Sequence, residues 1–343
     1  MISKIIAEDI VSRVREAINI KNNIVLVSHV SPDGDAVGSS LALQHYLRAL
    51  EKNVSVIVPN AFPASLAWMA GAEDIVLYDR KKNTAEKLLA QADLIIALDF
   101  NALKRLDKMQ DAFLNAPAPK ILIDHHLHPD DFAKIEVSYP EISSTAELVF
   151  RLICRMGHFD KITKECAECI LAGMMTDTGG FSYNSNSPEV YAIVAELIKL
   201  GVDKDDIFRR VFNNSSLDKL KLNAFSIYRK MTVFPEYKTA VILLTMKELE
   251  RFNYKIGDIE GIVNIPLSID GIVFSVLMRE DSDKIKISFR SQGSFPARKV
   301  AEDLFSGGGH FNASGGESYE SLQSAFKKLK SALPDYVEYL EAP

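Results

Sequence analysis

The sequence is poor in cysteine, with only Cys154, Cys166 and Cys169 among 343 residues. Three clustered thiols cannot build the disulfide framework of a small secreted domain. Cys166 and Cys169 have C-x-x-C spacing, but they fall inside a helical pattern with no second pair, so helix packing rather than zinc is expected. No uninterrupted apolar run approaches the roughly 20 residues of a membrane span. Met1 to Asn22 alternates charged and apolar residues without the apolar core of a secretory leader, which predicts an amphipathic helix and a cytoplasmic protein. Positive charge is not in excess: 40 Lys and Arg against 46 Asp and Glu give a formal −6, unsuited to coating long nucleic acid. Internal repeats and low-complexity tracts are missing as well. What remains, 47% hydrophobic and 25% charged, is ordinary globular composition, and 343 residues exceed what one core usually supports, so two domains are expected.

Up to about Tyr183 the pattern alternates between short apolar runs and helices. Strands are predicted at Ile24 to Val27, Val54 to Val58, Ile75 to Leu77, Leu94 to Leu98 and Ile121 to Ile123, with helices from Ala36 and Thr84 between them. Ser144-Thr145-Ala146-Glu147 reads as a capping box opening a further helix, and helices follow from Thr163 and Pro188. This predicts an α/β fold: a mainly parallel sheet with helices on both faces. The later chain differs, with strands at Thr239 to Thr245, Ile272 to Met278 and Ile285 to Phe289 and helices at Ala297 to Leu304 and Ser321 to Ala332. It is expected to form a smaller α/β domain across a cleft. The boundaries are set at 1–190, a linker at 191–215, and 216–343.

In parallel sheets ligands bind beyond the carboxyl ends of the strands. His29, Asp99 and Asp124 each lie just past such an end. Around them stand Asp33 and Asp35 in the Pro/Gly-punctuated turn after the first strand, His125 and His126 beside Asp124, and Asp177 before two glycines. The two aspartates of the first turn also suit a plain helix cap. Five carboxylates gathered at one rim would repel one another unless cations were present. Imidazole and carboxylate without thiolate suits Mn²⁺, Mg²⁺, Fe²⁺ or Zn²⁺, with Mn²⁺ the natural choice, and so many ligands favour two metals, which activate water and clamp a phosphoryl oxygen. Gly307-Gly308-Gly309-His310 is expected to form an anion-binding nest with a further donor; it is no Walker motif, because no Lys-Ser/Thr follows.

Asp124-His125-His126, preceded by His29-x-x-x-Asp33-x-Asp35 and Asp99 and followed by Asp177, resembles the DHH phosphoesterase superfamily. Ser288-Phe289-Arg290-Ser291 and Gly307 to His310 resemble the DHH-associated domain of one branch. The segments Ser143-Ser144-Thr145 and Thr176-Asp177-Thr178-Gly179 are similar to its bifunctional oligoribonuclease and pAp (3′-phosphoadenosine 5′-phosphate) phosphatase group. The resemblance implies two divalent metals, one held by His29, Asp33 and Asp99, the other by Asp35, Asp99, His125 and Asp177, with Asp99 bridging. It implies that His126 faces the substrate phosphate or leaving group and that Asp124 orients the neighbouring imidazoles. Arg290, Gly307, Gly308, Gly309 and His310 would bind substrate.

The activity implied is hydrolysis of short oligoribonucleotides and of pAp, with those small nucleotides as partners, no membrane, and a homodimer left open. A cyclic or linear dinucleotide phosphodiesterase is the close alternative, disfavoured because the chain has little room for sensory or membrane modules. A RecJ-type exonuclease is disfavoured by the acidic balance, and a pyrophosphatase relative by Gly307 to His310. A non-catalytic nucleotide sensor would have lost a ligand, and none is lost.

Overall fold

The computed structural model describes residues 5–340, and the chain divides into two compact units, Met1–Asn214 and Ser215–Pro343. The first contains α1 (Glu8–Ile20), β1 (Asn23–Val27), α2 (Gly34–Ala49), β2 (Asn53–Val58), β3 (Val76–Leu77), α3 (Lys82–Gln91), β4 (Leu94–Leu98), α4 (Gln110–Asn115), β5 (Lys120–Asp124), β6 (Ile135–Ser138), α5 (Thr145–Arg155), α6 (Lys164–Asp177), α7 (Pro188–Lys199) and α8 (Lys204–Phe212). Its six strands run in the order β3-β2-β1-β4-β5-β6, and every pairing is parallel. Alternate strand residues feed two cores. Ile24, Leu26, Ile96, Leu98 and Ile123 face α1, α2, α5, α6 and α7. Val25, Val27, Ile95, Ala97 and Leu122 face α3 and α4. Both faces are therefore covered, as parallel strands apolar on both sides require.

The strand order reverses between β1 and β4, and a crevice opens at such a switch point. Residues leaving those two strands, His29 and Asp99, thus stand side by side. The stretch 191–215, expected to link domains, carries most of α7 and all of α8. Ile193, Val194, Leu197, Val202 and Ile207 pack into the first unit's core. The charged run there starts a helix: Asp203 caps it through the Asp206 amide at 2.9 Å, and Ile207 supplies its buried face.

Three helices meet beneath the rim on small residues. A Cβ at Gly38 would stand 2.6 Å from the Cys169 carbonyl of α6, one at Gly34 2.3 Å from the Thr176 side chain, and one at Gly173 2.6 Å from Ala146 of α5. Cys166 and Cys169 belong to this packing. The Cys166 thiol contacts the Ala42 carbonyl at 3.3 Å, and burial pushes its pKa up to about 12.

The second unit contains α9 (Leu217–Phe225), β7 (Met231–Phe234), β8 (Thr239–Leu244), α10 (Met246–Arg251), β9 (Phe274–Glu280), β10 (Ile285–Ser291), α11 (Ala297–Phe305), β11 (Gly308–Gly309), β12 (Ala313–Ser318) and α12 (Leu322–Ala332). Its mixed sheet has the order β11-β12-β10-β9-β8-β7, with β8 and β9 parallel. One core packs α11 and α12 on the face carrying Ile285, Ile287 and Phe289. Among the described residues no helix is long and apolar enough to cross a membrane.

The glycine seam yields a direct test. In an open helix Gly38→Ala would stabilise by up to about 1 kcal/mol through propensity. Here the new methyl meets backbone, which cannot swing aside, so a net loss of roughly 1–3 kcal/mol is expected. Urea denaturation checks it; an unchanged or raised midpoint would show that α2 and α6 are not held this closely.

Candidate metal centre

Ser28 follows the first strand with its hydroxyl donating to the Leu98 carbonyl, 2.9 Å away, tying the exits of β1 and β4 together. His29 follows, buried, with Nδ1 2.9 Å from the Val30 carbonyl. A ring nitrogen against a carbonyl carries the proton, which leaves Nε2 as the acceptor. That Nε2 faces Asp99 Oδ2 at 3.4 Å and Asp33 Oδ2 at 3.9 Å. His125 is built alike: Nδ1 lies 3.1 Å from the Ile142 carbonyl, and Nε2 faces Asp177 at 3.1 Å, Asp99 at 3.6 Å and Asp35 at 3.9 Å. Acceptors pointed at acceptors need a cation between them, whether proton or metal.

The carboxylates are fixed by helix ends. Asp33 is the N-cap of α2, its Oδ1 accepting from the Asp35 and Ala36 amides at 3.1 and 3.0 Å, so the capping reading and the site reading hold together for this residue. Asp35 does not cap its own helix. Fully buried, it accepts from the Thr145 and Ala146 amides at 2.6 and 2.8 Å, the positive end of α5. Ser144 caps that helix through the Glu147 amide at 3.0 Å. The expected capping box is only half formed, because the Glu147 carboxylate turns to Ser143 and Arg151 instead. Asp99 adopts a left-handed φ of 64°, a conformation of the kind held under strain at functional sites. Its Oδ1 accepts from the Thr145 hydroxyl at 3.0 Å, while Oδ2 faces His29.

Every predicted rim residue comes together. His29, Asp33 and Asp99 form one group with metal-ligand spacing, Asp35, His125 and Asp177 a second, and Asp99, Asp124 and His126 a third. Asp124 Oδ1 holds His126 Nδ1 at 2.7 Å, whereas His125 Nδ1 lies against the Ile142 carbonyl. The donor set of hard oxygens and imidazole nitrogens fits divalent cations of the Mn²⁺ and Mg²⁺ class.

Residues 23–174 match the DHH family, N-terminal domain, and residues 238–338 the DHHA1 domain. A bifunctional oligoribonuclease and PAP phosphatase NrnA of Thermus thermophilus is 30% identical over 86% of this chain and 84% of its own. The chain belongs to the DHH family. A cyclic-di-AMP phosphodiesterase, GdpP of Bacillus subtilis, is 26% identical, matching 94% of this chain but 49% of that protein. A crystal structure of an exopolyphosphatase-related protein from Bacteroides fragilis superposes with a TM-score of 0.94 at 53% identity, covering 99% of both chains.

The other predicted residues lie in the DHHA1 part. Arg290, on β10, pairs across the sheet with Ala313, and Ala313 exchanges backbone hydrogen bonds with His310, so Arg290 and His310 share one end of that sheet. The glycine triplet differs from the expected nest. Gly308 and Gly309 form β11 against β12, and the amides of Gly307 and His310 are used by the Ala301 and Ala313 carbonyls. A Cβ at Gly307 would stand 2.1 Å from the Gly315 carbonyl, so close strand approach accounts for that glycine. Two DHH-domain residues escaped the sequence reading as site residues. Thr145 was visible as part of a cap and of the Ser143-Ser144-Thr145 segment, without a role at the site. Arg105 carried no signal at all, yet it reaches His126 Nε2 at 3.0 Å.

The buried charges perturb one another. Burial raises the Asp35 carboxyl well above the ordinary range, and Asp99 and Asp177 add to the effect. Asp177 is raised by burial despite His125. Burial opposes protonation of His125, but Asp177, Asp99 and Asp35 more than reverse it, so its pKa is well above the usual 6.5. Burial would also raise Asp99, yet the surrounding imidazoles hold it far below the usual range.

For the metal-free protein, His125 binds its proton more tightly folded than unfolded, a stabilisation lost as pH rises through the raised pKa. Asp35 and Asp177, raised as well, penalise folding above their folded pKa values, and the penalty is relieved on acidification. Asp99, depressed, loses its contribution only below the ordinary carboxylate range. Lowering the pH from about 8 to about 6 should therefore raise the melting temperature of chelator-treated protein. The extra stabilisation by added Mn²⁺ should shrink over the same interval, because metal must displace protons. A metal-free melting temperature that falls on this acidification would contradict the proton-filled site.

Proposed function

We propose that the chain is a divalent-metal-dependent phosphohydrolase that degrades short oligoribonucleotides and dephosphorylates pAp. The observation that carries the reading is Asp99, whose two carboxylate oxygens face different imidazoles, His29 on one side and His125 on the other. One metal is assigned to His29, Asp33 and Asp99, the second to Asp35, Asp99, His125 and Asp177. When bound, such cations polarise a phosphoryl oxygen and acidify water. The substrate class rests on the similarity to the oligoribonuclease and PAP phosphatase of Thermus thermophilus.

The chain's own groups have separable tasks. Asp124 fixes the tautomer of His126 by taking Nδ1–H, so that proton movement to or from the substrate phosphate or leaving oxygen belongs to Nε2. Thr145 and the first amides of α5 hold Asp99 and Asp35 in place. Arg290 and His310, with the β11 strand, are assigned to substrate binding. Hydrolysis of dinucleotides is the second reading, favoured by the similarity to a cyclic-di-AMP phosphodiesterase.

Turnover of pAp, a five-nucleotide RNA, pApA and pyrophosphate in Mn²⁺ separates these readings. Activity confined to pyrophosphate, or none at all, would refute the proposal; pApA far above the others would select the second reading. Asp99→Asn should abolish hydrolysis with the fold intact by circular dichroism. His126→Ala should keep its metal, measured by plasma emission, and lose most turnover, while His125→Ala should lose metal too. Equal metal loss in both variants would mean that the two imidazoles have been assigned wrongly.

A further inference from the structure

Arg105 stands out for the partners it has. It is half-buried in the segment that follows β4, and three loops of the rim fix its backbone. Its carbonyl accepts from the Val30 amide at 2.7 Å, beside His29. Two residues earlier, the Leu103 amide donates to Asp130 Oδ2 at 2.8 Å, and the Asp130 amide donates to the Asn101 carbonyl at 2.7 Å. The guanidinium therefore projects from an anchored base. Among the described residues no carboxylate pairs with it, although five surround the site. Its partners are His126 Nε2 at 3.0 Å and the Asp99 carbonyl at 3.4 Å, and both use Nη1.

A guanidinium has five donors in a planar fork and a charge that does not titrate away. An imidazole nitrogen and a carbonyl neutralise little of that charge, and the Nε and Nη2 edge is used by neither. A fixed, charge-unsatisfied fork beside a phosphoryl-transfer site is suited to an anion's terminal oxygens. Phosphate esters differ in what they offer it. A monoester carries about two charges and three terminal oxygens; a diester carries one charge and two such oxygens, the third being esterified to the next nucleoside.

We propose that Arg105 is the first unit's recognition residue for the additional terminal oxygen of a phosphomonoester, and so sets the balance between monoester and diester substrates. The proposal rests on the phosphohydrolase reading above and adds a specificity determinant to it. The contact with His126 is then the one Arg105 makes when no phosphate is present.

Arg105→Gln and Arg105→Lys test it on the full-length, metal-loaded protein, with pAp as the monoester and ApA, which has no terminal phosphate, as the diester. In the Gln variant kcat/KM for pAp should fall about 10- to 100-fold, the range of a charge-assisted contact, while ApA falls less than about threefold on the same scale. Inorganic phosphate binding, measured by calorimetry, should weaken in parallel with pAp, metal content should stay at the wild-type level, and the Lys variant should lie between. Parallel loss of both substrates, or loss of metal, would overturn the proposal. So would a double variant with His126→Ala in which Arg105→Gln no longer weakens phosphate binding, since Arg105 would then act only through the imidazole. Wild-type protein that binds phosphate through Arg105 yet cleaves neither ester would sustain the anion site and refute the substrate reading; cleavage of both, indifferent to Arg105, would refute this inference alone.

Discussion

The carboxylate of Asp35 is fully buried, and both of its oxygens are taken up by the first amides of α5. A lone carboxylate at that depth would be protonated or would cost several kcal/mol. Placing it on a helix N-terminus supplies two hydrogen bonds and a favourable dipole at once. The requirement propagates. For α5 to start there, Ser144 must cap it and Ala146 must lie against Gly173. For Asp35 to reach it, α2 must approach α6 along Gly34 and Gly38. The same approach delivers Asp177, the last residue of α6, to His125. The glycine seam and the acidic rim are two aspects of one arrangement.

Much of this was legible in the sequence because strand ends and polar residues coincide there. His29, Asp99 and Asp124 each lie just past an apolar run of three to five residues, and a parallel sheet brings such ends to one rim. The capping role of Asp33 was also readable, since it directly precedes a helix. The partnership of Asp35 with α5 was not, because it joins residues about 110 positions apart through backbone amides that no side-chain pattern reveals. Arg105 was hidden for a related reason. It lies in the short 3₁₀ segment Leu103–Met109, which carries no apolar periodicity, and its meaning comes only from its distance to His126.

The second unit shows where local pattern misleads. β12 is Ala-Ser-Gly-Gly-Glu-Ser, almost without the branched or aromatic residues that mark strands, and its glycines read as loop. Gly316 is required because Phe305 lies against that backbone: a Cβ there would stand 2.8 Å from the Phe305 Cβ. The residue after His310 and Phe311 is likewise structural. Asn312 donates to the Ser291 hydroxyl at 2.8 Å and to the Gly293 carbonyl at 3.1 Å, pinning the turn that follows β10.

The pairing of β1 with β4 also constrains how the molecule comes into being. Ile24 pairs with Leu94 and Val27 with Ala97, a separation of about 70 residues, and parallel pairing of that kind closes a long loop before any contact repays it. The two halves of the first ligand group are therefore apart until the sheet is assembled. The second group waits longer, since Asp177 ends a helix that follows every strand of the first sheet. A chain emerging from the ribosome cannot offer the full set of donors until α6 has left the exit tunnel. Cation capture by both groups would thus come late in the birth of this protein, after the first sheet and α6 have assembled.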